Sequence, residues 1–125
     1  MKKLILLLIL NLTLNSCAQE KKCEDFKTGK FAYAEKNRPE KILRTENLQI
    51  EINPITGVEI HTNIEWTSDC EYVMTYKKIL NHPKDISSVI GKKIFVQILE
   101  TNGNKIKVRA KSDSMDEEIE LIKTE

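Results

Sequence analysis

From residue 27 onward the chain alternates between apolar and polar positions, the pattern of β-strands with one buried face. In the longest run, residues 58–66, one face carries Val58, Ile60, Thr62, Ile64 and Trp66. Shorter runs repeat the pattern, and the predicted strands cover residues 27–34, 41–45, 48–52, 58–66, 70–77, 92–100, 106–110 and 117–123. Residues 79–91 are less regular and predict a loop with one helical turn.

Segments rich in Asn, Pro, Gly and Asp separate these strands. Residues 53–57 and 67–69 predict turns, and Asn102-Gly103 predicts a two-residue hairpin because both residues tolerate positive φ. Both faces of residues 92–100 are apolar, which predicts a central strand. Seven or eight short sequential strands predict one all-β domain, an antiparallel meander curled into a small, lipocalin-like barrel or half-barrel. A sandwich is the alternative.

The first residues predict export. Lys2 and Lys3 precede the apolar run 4–10, which is shorter than the roughly 20 residues that span a bilayer. Leu14-Asn15-Ser16-Cys17 resembles the lipobox of bacterial lipoproteins. The prediction is a signal peptide over residues 1–16, a lipidated tether over 17–22 with the lipid on Cys17, and a single all-β domain over 23–125. An ordinary signal peptide followed by a chance cysteine is the alternative.

The net charge of the chain argues against one class of partner, nucleic acid. Without Lys2 and Lys3 the chain has 18 basic and 19 acidic residues, hence a net charge near −1. No basic excess is present to neutralise phosphates, so we expect no nucleic-acid partner. We expect the protein in the bacterial cell envelope, anchored to the outer membrane through the lipid on Cys17, since stable anchoring takes two or more acyl chains and a lipidated cysteine normally carries them.

If Cys17 is lipidated, Cys23 and Cys70 are left as an even pair in an oxidising compartment, which predicts a disulfide. Two free thiols or a metal pair are the alternatives. Without clustered histidines, two cysteines 47 positions apart make a poor metal site.

Two cysteine blocks resemble a family of small Gram-negative lipoproteins. Residues 23–31 match its pattern C-x-D-F-K-T-G-x-F, Arg44-Thr45 matches its R-T, and residues 66–72 match W-x-x-D-C-x-Y. The resemblance covers most of the mature chain and implies a lipoprotein with a disulfide, without an established activity. Some members are labelled DNA topoisomerase IV, a label that this small, near-neutral chain does not support.

The candidate chemistry is sparse. His61 lies on a polar strand face and His82 in a loop, and both are interpreted as surface residues. An acidic cluster lacks the spacing and glycine of a calcium loop and is interpreted as a solvated turn: Asp113, Asp116, Glu117 and Glu118. Ser87-Ser88 has no nucleophile motif around it. We therefore expect no enzyme activity, no catalytic residue, no metal and no cofactor.

Two functions stay open. The first is a non-catalytic binding module that holds a small ligand, glycan or peptide on a concave sheet face. The second is a protein-interaction role, as an inhibitor of an envelope hydrolase or an accessory subunit of an envelope assembly. A deep apolar cavity would favour the first. The small domain with few aromatic residues instead favours a filled core.

Overall fold

The computed structural model describes residues 21–125, which form one closed β-barrel. Eight antiparallel strands follow one another in chain order: β1 (Gly29–Tyr33), β2 (Lys41–Arg44), β3 (Leu48–Ile52), β4 (Glu59–Ser68), β5 (Glu71–Leu80), β6 (Lys93–Asn102), β7 (Lys105–Lys111) and β8 (Asp116–Lys123). Pairing of β8 with β1 closes the sheet. The predicted signal peptide and Cys17 lie outside the described residues.

Short 3-10 helices cover Cys23–Phe26, ahead of β1, and Ser87–Val89, between β5 and β6. No helix within residues 21–125 is long and apolar enough to cross a membrane. The all-β prediction is confirmed, and the sheet is a full barrel rather than a half-barrel. Every predicted strand has a counterpart, with ends shifted by three residues at most.

Two local predictions are wrong. Residues 92–100 pair with a strand on both sides, as every strand of a closed barrel does, but the burial of both faces expected of a central strand is wrong, since Phe95 lies on the outer face with 56% of its surface exposed. The hairpin between β6 and β7 turns one residue later than expected. Asn102 pairs with Lys105, so Gly103 is the first turn residue, and its φ of 60° requires the positive-φ freedom of glycine.

The barrel has two different ends. We call one end the floor; it contains the β2–β3, β4–β5 and β6–β7 turns and the 3-10 helix Cys23–Phe26. The other end, the mouth, is formed by four longer loops: residues 34–40, 53–58, 81–92 and 112–115. Lys22 N donates a hydrogen bond to Thr101 Oγ1 at 2.9 Å, so the chain enters the barrel beside the floor.

Every second side chain along each strand points into the interior of the barrel, as the alternating sequence pattern predicts. The buried apolar residues of the strands are Phe31, Ile42, Ile64, Tyr72, Ile94, Val96, Ile98, Ile106, Val108, Ala110 and Leu121. Strand β3 is the exception. Its polar residue Gln49 is buried and Glu51 lines the interior, whereas Leu48 and Ile50 face outward.

Gly29 begins β1 at a point where two backbones come together. Its φ is +129°, and a Cβ built there would lie 2.5 Å from the carbonyl oxygen of Glu125. Lys30 N donates to that same oxygen at 2.8 Å, which fastens the chain's last residues to β1. A glycine is therefore required both by the backbone conformation and by the close approach.

The predicted disulfide is present between Cys23 and Cys70, whose Cα atoms lie 5.3 Å apart. Cys70 lies in the β4–β5 turn, and Cys23 begins the 3-10 helix rather than the first strand. The bond therefore attaches the helix to the floor. Cys23 is 3% exposed, so its sulfur is part of the core.

Candidate functional site

A cavity of about 430 Å³ extends from the mouth loops into the barrel. Its walls are apolar side chains from six strands: Ile42, Ile60, Met74, Ile94, Val96, Val108, Ala110, Ile119 and Leu121. Sites for small organic ligands are typically about 300–1,000 Å³ and mostly apolar. The deeper wall residues Val96, Val108 and Ala110 are only 3–4% exposed, so the interior is packed there as expected, and the cavity is open chiefly toward the mouth.

Arg44 forms the base of the cavity and is 2% exposed. Its Nε and Nη2 donate to Gln49 Oε1 at 3.1 and 2.8 Å, and Nη1 donates to the Phe26 carbonyl oxygen at 2.9 Å. Nη2 also donates to the Tyr72 hydroxyl at 3.0 Å. The guanidinium carbon lies 4.8 Å from the ring centroid of Phe31 and 4.9 Å from that of Tyr72. Arg44 thus joins the 3-10 helix to three strands.

All of these acceptors are neutral, and no carboxylate within residues 21–125 forms an ion pair with Arg44. A buried cation is stabilised here by hydrogen bonds and by the faces of two aromatic rings, which attract positive charge. Phe31 and Tyr72 fill the space around the guanidinium, and both are almost fully buried. The floor is therefore closed by a fixed polar network rather than by apolar side chains alone.

The mouth contains the opposite charge. The Tyr33 hydroxyl donates to Glu51 Oε1 at 2.6 Å. Glu40, at the end of the β1–β2 loop, has a buried Oε2 without a hydrogen-bond partner. Arg38 in the same loop lies against Tyr33, with its guanidinium carbon 3.7 Å from the ring centroid. The polar part of the lining near the mouth also includes Asn53, Thr56, Tyr76, His82 and Glu117.

Burial dominates the ionisation of these groups. It raises the pKa of the Glu51 carboxyl; the hydrogen bond from Tyr33 and the charge of Arg38 act against this rise, and the charge of Glu40 adds to it. Burial and the adjacent Glu51 also raise the pKa of the Tyr33 hydroxyl, and they do the same to the pKa of Tyr76. Both phenols therefore remain protonated donors at neutral pH.

Of the other predicted residues, His82 and Glu117 line the cavity, whereas His61 and Asp116 do not. His61 lies on the outer face of β4 with its Nε2 3.1 Å from Glu59 Oε2. His82 lies in a mouth loop, where its Nδ1 accepts a hydrogen bond from Lys84 N at 3.0 Å. In the acidic cluster, Asp116 forms a bidentate pair with Arg109 at 3.0 Å. No group of three potential metal ligands occurs within residues 21–125.

The polar residues of the interior were not predicted from the apolar–polar alternation of the sequence. Arg44 follows Ile42 by two positions, so the alternation already placed it on the buried face, and it stands in one of the blocks of the family resemblance. Glu51 had no comparable signal. Its strand alternates just as well with the apolar residues outward, and only the pairing with β2 and β4 decides which face lies inside.

Fold and site together define a class: a small, closed, up-and-down β-barrel with a floor sealed by a buried arginine and an open, ligand-sized cavity. Comparison of the chain with protein-family models, with curated proteins and with solved structures found no match.

Proposed function

We propose that this protein is a lipid-anchored lipoprotein of the bacterial cell envelope whose barrel binds a small, largely apolar ligand without catalysis. The observation that carries the proposal is the cavity of about 430 Å³ with its wall of aliphatic side chains. Burial of apolar ligand surface contributes roughly 25 cal/mol per Å² and is the main driving force for binding in such a site.

The position of the tether supports the same function. Lys22 and Cys23 lie at the floor, through the bonds to Thr101 and Cys70. A lipid on Cys17 is separated from Cys23 by six residue steps, at most about 20 Å of extended chain. The floor would therefore face the membrane, and the mouth would open away from it, where a ligand can enter without leaving the aqueous phase.

Filling the cavity should abolish binding of an apolar probe. Ala110 points into the cavity, so Ala110→Phe should weaken the binding of the neutral dye phenylnaphthylamine at least about tenfold. Dye fluorescence on titration measures this. Ala32→Phe is the matched control, because Ala32 lies on the outer face of β1 between the inward residues Phe31 and Tyr33. Equal dye binding by the two variants, or no binding by the wild type, would contradict the proposal.

The anchor is tested separately in cells. Metabolic labelling with a tagged fatty acid should mark the full-length protein and should not mark Cys17→Ala. The physical reason is that the thiol of Cys17 is the acceptor of the diacylglyceryl group. Cys70→Ala is the control, because it removes a thiol without touching the lipobox. Equal labelling of wild type and Cys17→Ala would show that the protein is not anchored through this residue.

A further inference from the structure

We propose that the ligand carries a protonated amine at one end and that Glu51 and Glu40 hold this amine at the mouth of the barrel. The inference rests on the proposed function and deepens it, since it assigns a chemical class to the ligand. The apolar part of the ligand would occupy the aliphatic cavity, and the amine would remain near the mouth loops.

The hydrogen bonds at the mouth leave carboxylate oxygens available to a donor. Glu51 Oε1 is oriented by the hydroxyl of Tyr33, whereas its Oε2 accepts no hydrogen bond within the described chain. Glu40 Oε2 is buried and also has no partner. A buried carboxylate oxygen without a donor is unfavourable, and each additional N–H that reaches it stabilises the site. An ammonium group has three N–H donors and accepts none, so it suits the buried oxygen of Glu40 together with the Glu51 carboxylate beside it.

Charge supports the same class of ligand. The cavity lining contains three carboxylates, those of Glu40, Glu51 and Glu117, and two guanidiniums, of which Arg44 lies at the base and only Arg38 near the mouth. Arg38 lies against the ring of Tyr33 and forms no ion pair with any carboxylate within residues 21–125. Burial is the main cause that raises the pKa of the Glu51 carboxyl, and the nearby charge of Glu40 adds to the rise. The mouth therefore has a net negative charge that a ligand cation would neutralise.

An anionic ligand bound to Arg44 is the alternative. Arginine has five N–H donors, and the four hydrogen bonds to Gln49, Phe26 and Tyr72 occupy all but one of them. The rings of Phe31 and Tyr72 also lie against the guanidinium, with centroids 4.8 and 4.9 Å from its carbon. Arg44 is thus committed to closing the floor, and a carboxylate would find little there to bind.

The experiment uses three ligands with the same alkyl chain, decylamine, decanol and decanoate, each displacing phenylnaphthylamine from the barrel at neutral pH. Decylamine should bind at least about tenfold more tightly than decanol, as expected for a charge-assisted hydrogen bond in a partly buried site, and decanoate should bind most weakly. Equal affinity of amine and alcohol, or preference for decanoate, would overturn the inference. No binding of the dye itself would overturn the proposed function and the inference with it.

Two variants of opposite effect sharpen the test. Glu51→Gln keeps the shape but removes the charge, and should bring the ratio of decylamine to decanol affinity close to one. Arg38→Gln removes the competing cation and should increase that ratio. Glu65→Gln, on the exposed outer face of β4, is the control and should leave it unchanged. A ratio in Glu51→Gln equal to that of the wild type would contradict the assignment, even if the wild type prefers the amine.

Discussion

Replacing Arg44 by methionine is expected to lower the free energy of unfolding by about 3 kcal/mol or more. The substitution leaves Gln49 Oε1 and the Phe26 carbonyl oxygen buried without their donor, and it deprives the Tyr72 hydroxyl of one hydrogen bond. Removing the cation also removes its own desolvation penalty, but a buried network that loses one member generally loses more than it gains. Urea unfolding followed by circular dichroism measures the difference.

Two further variants separate the network from simple loss of a charge. Arg109→Met removes an arginine whose ion pair with Asp116 is on the surface, and should have a much smaller effect. Gln49→Leu combined with Arg44→Met removes one of the unpaired acceptors, so the double variant should recover part of the loss. An Arg44→Met protein as stable as Arg109→Met would show that the floor does not depend on this network.

Replacing both Cys23 and Cys70 by alanine is expected to lower stability by about 4 kcal/mol on the chain-entropy account of a loop of this length. The disulfide joins residues 47 positions apart, so its loss gives the unfolded chain much more freedom. For a domain of about 100 residues this corresponds to a melting temperature lower by roughly 20 °C. The disulfide is the only covalent cross-link within residues 21–125 besides the backbone itself, and it joins the 3-10 helix to the β4–β5 turn.

Thermal unfolding with and without reductant tests this prediction. Reductant should lower the melting temperature of the wild type to about that of the double variant, and should not affect the double variant. Labelling of the unfolded protein must show that reduction is complete. A fully reduced wild type with an unchanged melting temperature would contradict the prediction. Because Phe26 in the helix is also an acceptor for Arg44, we expect the disulfide and Arg44 variants to be non-additive.

The alternation of apolar and polar residues was sufficient to predict the strands. The alternation in residues 58–66 predicted both the existence of β4 and its inward face, and Thr62 and Ile64 are buried as expected. The cysteine pair followed from export chemistry and counting, without any knowledge of the fold. The strands depend on residues close together in the sequence. Side chains two positions apart in a strand lie on the same face, so the sequence pattern shows which of them share it.

The polar residues of the interior could not be predicted from such patterns. In β3 the apolar positions face outward and Gln49 and Glu51 face inward, where Arg44 on the adjacent β2 and Tyr33 on β1, one strand further, supply their partners. The alternation is the same for either orientation, and only pairing with adjacent strands distinguishes them. The cavity could not be predicted from the pattern either, because its volume depends on how the inward faces of all eight strands pack together and not on any single strand.

The sequence by itself therefore determined the β class, the approximate strands and turns, the disulfide pair and the expectation of a signal peptide with a lipid on Cys17. Only the tertiary structure decided that the sheet closes, that Arg44 seals its floor and that Glu40 and Glu51 meet Tyr33 at an open mouth. The physical reason is the separation in the sequence between the residues that interact. Strand propensity and turn chemistry act between residues a few positions apart, whereas closure, burial of charge and cavity volume arise from residues distant in the chain.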